Sequence, residues 1–236
     1  MTGLWGKSNF WRGIRDGLSF LIVIVPFAML FGVLATEAGL TIVQVMGFST
    51  LVFAGAAQFT ALQLMSDNAT TLIVLATALV VNLRMAMYSA ALAPHLGAAP
   101  LWQRAVIGYL NVDQTYALGQ AEFDRDPDQP LPHKVAYFLG TAAGICPFWF
   151  ASTYFGAVAG NALLQDYPLD FAVPITFLAL IAPALKSLAH VAAAFTSIVL
   201  TLALIWVPSG LGLILAAMAA LAVGAQVELW TQRQHR

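Results

Sequence analysis

Charge is what this sequence has least of. Only 9% of its 236 residues are charged, against about 25% in a soluble domain. With 60% hydrophobic residues and a mean hydropathy of +0.81, the chain cannot clothe a water-soluble surface. A polytopic membrane protein is indicated instead. Neither sign of charge dominates: the net charge of −1 supplies no basic stripe for nucleic acid. Cysteine is reduced to Cys146, which cannot form an internal disulfide or hold a metal alone. It reads as a small hydrophobe in an apolar stretch. The histidines, at 95, 133, 190 and 235, have no ligand spacing, so no metal or cofactor is expected. Neither G-x-S-x-G nor H-E-x-x-H occurs, and no enzyme is expected.

Long apolar runs are what the chain has. Candidate spans lie at 17–37, 41–65, 69–93, 103–121, 134–160, 168–185, 187–206 and 209–229. The reading is an all-α transmembrane helical bundle of eight spans, or seven if the short 103–121 stretch does not cross. Lys7, Arg12 and Arg15 precede the first run and alternate with Trp5, Phe10, Trp11 and Ile14, a mixture suited to a helix in the headgroup layer. That run is too long for a signal-peptide core. The polar stretch 122–133 reads as a solvated connection between two halves, 17–121 and 134–229. "PFAMLFGVLATEAG" at Pro26 and "PFWFASTYFGAVAG" at Pro147 suggest an internal repeat of those halves, parallel if each has four spans.

Cations orient such a chain. Eight spans with a cytoplasmic N-terminus put Lys7, Arg12, Arg15, Arg125, Lys134, Lys186, Arg233 and Arg236 inside and Arg104 outside. Dropping the fourth span alone scrambles this bias. Both termini are therefore expected in the cytoplasm.

Breakers interrupt several spans. Pro26 interrupts the first span, and Pro147 and Pro174 fall in later ones; Pro26 is read as a packed kink, since proline is common in membrane helices. "FAGAAQF", residues 53–59, is different, because a polar Gln58 follows small Gly55 and Ala56. On an unbroken helix Gln44, Gly47, Leu51, Gly55, Gln58 and Leu62 would share a face. A discontinuous helix whose freed backbone groups line a solute site is the functional reading.

One guanidinium stands in "LVVNLRMAMYSAAL", residues 79–92: Arg84 is the only charge between Asp67 and Arg104. An arginine at mid-span costs about 2.5–3.5 kcal/mol on insertion scales, so something must offset it. Thr77, Arg84, Tyr88, Ala91 and His95 share one helical face, while Asn82 and Ser89 lie on the far side. Lipid satisfies neither face, so protein or water is expected on both. Asp113 is the one carboxylate well inside an apolar run, in a stripe with Tyr109, Tyr116 and Gln120. It is the expected partner of Arg84. The pair either fixes packing only or belongs to a functional site.

"FAGAAQF", "NLRMAMYSAAL", "DQTYAL" (113–118) and "LDFAVPITFLALIAP" (169–183) together resemble the AzlC family, over nearly the whole chain. The resemblance implies the large subunit of a bacterial inner-membrane permease that exports valine, leucine, isoleucine and methionine. It implies proton coupling and a separately encoded AzlD-type small subunit. The chain departs from the family pattern at Met85, where a histidine is usual, and at Gln114, where an acidic residue is common. Each departure removes an ionisable group. Import, or another small organic solute, is the rival reading.

The site residues expected from both readings are Arg84, Asp113, Asn82, Gln58, Gly55, Ala56, Tyr88 and Tyr116. Arg84, or freed N–H groups near Gly55, would hold a carboxylate. Asp113 would hold an ammonium or a proton. Ala216, Ala219 and Ala220 in the last span are small enough to pack against a partner helix.

Overall fold

The computed structural model describes residues 2–163, 187–207 and 211–234. The expected span at 168–185, with Pro174 and Lys186, lies outside the described residues. Regular structure among the described residues is helical throughout: α1 (Thr2–Leu18), α2 (Leu21–Glu37), α3 (Ile42–Leu51), α4 (Gly55–Ser66), α5 (Thr71–Leu96), α6 (Leu101–Tyr109), α7 (Asp113–Arg125), α8 (Leu131–Leu163), α9 (Leu188–Ala203) and α10 (Leu211–Gln234). Contacts divide the chain into two compact units, residues 1–62 with 78–167 and residues 63–77 with 168–236.

The frame of the first unit is α8 with α1 and α2 laid along it. Glycine makes this possible. A Cβ at Gly32 would overlap the Thr153 carbonyl, one at Gly156 the Met29 carbonyl, and one at Gly140 the Phe10 carbonyl. Backbones in contact gain dispersion where the hydrophobic effect offers nothing, since lipid is as apolar as leucine. Contacts advance in step, Phe10 on Gly140, Ile14 on Gly144, Met29 on Gly156 and Val33 on Gly160, so α1 and α2 run parallel to α8. The two are bent by 63° at residues 19–20. Pro26 and Pro147 sit inside unbroken helices. Gly39, at φ +89°, ends α2 in a conformation that glycine adopts without penalty.

The stretches 41–65 and 103–121 do not cross as expected; each turns back. Residues 52–54 separate α3 from α4. Phe31 of α2 packs on Phe48 of α3 at 5.7 Å and on Phe59 of α4 at 5.6 Å. Residues eleven apart on one straight helix would be about 16 Å apart along its axis. The two arms therefore lie side by side. In the second case Leu92 of α5 meets Ile107 of α6 across a cavity and faces Gly119 of α7. The pairs Arg84–Asp113, Tyr88–Tyr116, Leu92–Gly119 and His95–Phe123 advance together. So α7 runs parallel to α5, and α6–α7 is a re-entrant hairpin that leaves on the side where it came in.

The hairpins enter from opposite sides. The first starts beside the end of α2. The second starts where α5 ends and α8 begins, with Lys134 near His95 at 3.4 Å. Their tips meet: the Tyr109 hydroxyl donates to the Thr50 carbonyl at 2.7 Å, and its ring lies 6.0 Å from Phe53. Among the described residues, only α5, α8 and the bent α1–α2 pair are long and apolar enough to cross. The alternation α2, α5, α8 returns α8 to the direction of α2, as their parallel packing requires.

One further expectation shifts. The connection after α7 is only residues 126–130, because Glu122, Phe123 and Lys134 are buried. Glu122 takes Arg12 and Arg125 together, the Tyr137 hydroxyl donates to Asp16 at 2.9 Å, and Lys134 donates to the Pro127 carbonyl at 2.6 Å. These bonds fasten the end of α7 to α1 and α8. In the second unit α9 and α10 form an antiparallel pair, with Gly212 on Leu204 and Gly224 on Ala193. Ala216 and Ala220 are buried there, and Ala219 is half-buried.

The second hairpin makes a direct test. Single cysteines at Ala98 and Asp128, in a Cys146→Ala background, are expected to react with an impermeant thiol reagent from the same membrane face. Labelling from opposite faces would show that α6–α7 crosses.

Candidate functional site

The two tips are built alike. At the first, Ala54 N–H bonds the Val52 carbonyl at 2.8 Å and Gln58 Nε2 donates to that same carbonyl at 2.7 Å. At the second, Val112 N–H bonds the Leu110 carbonyl at 3.1 Å and Thr115 Oγ1 donates to Leu110 at 2.8 Å. The Val112 N–H is also shared with Thr115 Oγ1 at 2.9 Å. A break inside a membrane strands backbone groups that no water reaches, so a polar side chain must close it. Gln58 and Thr115 do that work, and both are fully buried. Gly55 is required at the first tip, because a Cβ there would overlap the Phe27 ring. The tip is held to α8 by Trp149 Nε1, which donates to Ser49 Oγ at 2.8 Å. Gln44, expected on the face of Gln58, instead caps α3: its side chain accepts from Thr41 N–H at 2.8 Å.

Arg84 meets Asp113, as expected, with Nη1 3.2 Å from Oδ2. Asp113 opens α7, where the helix N-terminus favours an anion. Both side chains keep about a third of their surface accessible, 27% and 36%, and each keeps a polar atom without a partner: Arg84 Nε and Asp113 Oδ1. Tyr88 and Tyr116 stack beside them at 4.2 Å and 9°, and the Tyr88 hydroxyl faces Asp113. So the face of α5 that carries Arg84, Tyr88 and His95 looks onto α7, as the need to satisfy it implied.

The far side of α5 is satisfied only in part. Ser89 accepts from Asn111 Nδ2 at 3.2 Å, and Asn82 Oδ1 has no partner. Gln58 Oε1 and Asn111 Oδ1 are likewise buried and unpartnered. Each such group costs about 1–3 kcal/mol unless water or a solute meets it. The structure thus gathers Arg84, Asp113, Tyr88 and Tyr116 into one group. Gly55, Ala56 and Gln58 form a second at the other tip. Tyr109 bridges the tips; no hydrogen bond or ion pair among the described residues joins Gln58 to Arg84. The expected stripe of Tyr109, Asp113, Tyr116 and Gln120 is divided by the break, and Gln120 donates to Asp124 at 2.8 Å.

Asn111 and Thr115 were missed by sequence reasoning. The signal was there in "LNVDQT", residues 110–115, where four polar residues crowd into an apolar run. Read as one continuous helix, they scatter around it. Read as a break, they become caps.

A family model described as "AzlC protein" matches residues 19–163, which contain both hairpins and the ion pair. The chain belongs to the AzlC family. Among curated relatives, "Inner membrane protein YgaZ" of Escherichia coli is 26% identical over 184 residues, covering 73% of this chain and 72% of that one. An "Uncharacterized membrane protein" of Archaeoglobus fulgidus is 30% identical over 233 residues, covering 93% of this chain and 95% of its own length. No solved structure matches. This AzlC-family chain is a membrane protein, consistent with a transporter-type permease.

Proposed function

We propose that this chain is the large subunit of a permease that exports valine, leucine, isoleucine and methionine across a bacterial inner membrane. The observation that supports the reading best is the Arg84–Asp113 pair at the tip of the second hairpin, each partner holding an unsatisfied atom. A zwitterion can replace such a pair without changing the net charge. Its carboxylate takes Arg84 and its ammonium takes Asp113, and the pair re-forms when the solute leaves. The empty site is then self-neutralised, which lowers the cost of holding two charges in a membrane. The aliphatic end needs only an apolar pocket, which discriminates by about 1–3 kcal/mol per methylene. Overlapping use of the branched-chain amino acids follows.

The re-entrant hairpins strengthen the cytoplasmic assignment of the N-terminus. With α6–α7 returning to its own side, Arg104 joins Lys7, Arg12, Arg15, Arg125 and Lys134 on one face. The eight-span scheme had left it on the other. The first unit then obeys the positive-inside rule, with Arg84 as its one cation at depth. An AzlD-type small membrane subunit completes the working complex. No residue of the first unit needs that subunit to form the ion pair.

Counterflow in proteoliposomes tests the reading. Vesicles with both subunits are expected to exchange labelled leucine for valine, isoleucine or methionine, but not for lysine or glutamate. The single chain alone is expected to exchange none of them. Exchange of an unrelated solute class, with branched-chain amino acids inert, would overturn the reading.

A further inference from the structure

A cavity of about 220 Å³ lies between α5 and α6, apart from the ion pair. It is smaller than the roughly 300–1,000 Å³ of pockets that take drug-sized ligands, so it suits a small solute. Leu92, Leu96 and Ile107 form its apolar wall, and Ser89, Arg104 and Asn111 are its polar lining. The polar groups are not spread evenly. Arg104 is exposed, beside the start of α6, and has no ion-pair partner among the described residues. Asn111 is 4% exposed, at the tip. Its amide nitrogen is held by Ser89 at 3.2 Å, which leaves Oδ1 buried and without a partner. The cavity therefore has a free guanidinium at its mouth, Ser89 and Asn111 at its other end and an aliphatic wall between. Two residues beyond Asn111 stands Asp113.

We propose that this cavity is a loading site for the solute that the Arg84–Asp113 pair transports. Arg104 takes the carboxylate of a zwitterionic aliphatic amino acid. Ser89 Oγ, held in place by Asn111 Nδ2, accepts from its ammonium, and Leu92, Leu96 and Ile107 take its side chain. The inference rests on the proposed transport of such amino acids and adds a site on the way to the ion pair. The mouth lies on the face that carries the 126–130 connection, which for an exporter is the side of uptake. Passage from Asn111 to Asp113 follows the break between α6 and α7, where no helical ladder has to be opened.

Cysteine protection tests it. Ala93 lines the cavity and is exposed. Ala93→Cys, in a Cys146→Ala background with the small subunit present, is treated with an impermeant thiol reagent from the 126–130 face. Valine, leucine, isoleucine or methionine at saturation is expected to slow labelling at least fivefold. A cysteine at Asp128 is expected to react at the same rate with or without them. Arg104→Gln is expected to abolish the protection, whereas Arg84→Lys retains it while transport is lost. Normal transport with no protection by any of the four would overturn the loading site and leave the proposed function standing. Protection by a protein that transports none of them would keep the site and overturn the function. Undiminished protection in Arg104→Gln would overturn the carboxylate contact.

Discussion

Arg84→Lys is expected to lower leucine transport on the order of a hundredfold while the protein remains folded. Lysine keeps the charge but not the planar fork that addresses a carboxylate through two parallel N–H groups. A charge-assisted hydrogen bond contributes about 1.5–3 kcal/mol, and the upper end corresponds to that loss. Arg84→Ala is a poorer probe, because it leaves the Asp113 carboxylate without its partner. Breaking a fully buried pair costs about 3–5 kcal/mol. Here the cost is smaller, since the two side chains stay 27% and 36% accessible, but misfolding could still imitate lost binding. The double variant Arg84→Met with Asp113→Leu removes both charges together. It is expected to show wild-type thermal stability in detergent and no transport. Transport by that stable double variant would mean that the pair fixes packing only.

The ion pair was legible in the sequence for an energetic reason. A charge in an apolar run must find a countercharge, and the choice of carboxylates was short. The break after Leu51 was legible as well, because Gly55 and Gln58 have no purpose in a plain span. What hydropathy cannot register is direction. Residues 103–121 have the composition of a short crossing helix, yet α6 and α7 make a hairpin. Its turn is signalled by Asn111 and Thr115, polar groups that a helical projection disperses. The charge rule misled for a related reason. Removing one crossing inverts everything downstream, so the fourth span seemed necessary. Turning back both 41–65 and 103–121 removes two crossings and inverts only what lies between them. The glycine spacing in α1, α2 and α8 was visible, but it names a close contact without naming the partner. The structure supplies the facing carbonyls.

Those glycines carry the second large effect. Gly156→Ala is expected to lower the thermal midpoint sharply and to deplete folded protein, although alanine adds one methyl group and is the better helix former by about 1 kcal/mol. The methyl would occupy the space of the Met29 carbonyl oxygen. A flexible side chain could move aside, but backbone cannot without prising α2 from α8 along its length. Overpacking usually costs about 1–3 kcal/mol, and a helix-against-helix clash belongs at or above that upper end. Gly47→Ala is the matched control. It is the same chemical change in α3, at a glycine with nothing within 4 Å of its added Cβ. That variant is expected to be neutral or slightly stabilised. Because α2 and α8 carry the first hairpin through Phe31, Trp149 and Ser49, any surviving Gly156→Ala protein is also expected to transport poorly. Equal midpoints for the two alanine variants would mean that α2 and α8 do not meet through their backbones, and the parallel frame that sets the direction of both hairpins would fall with that contact.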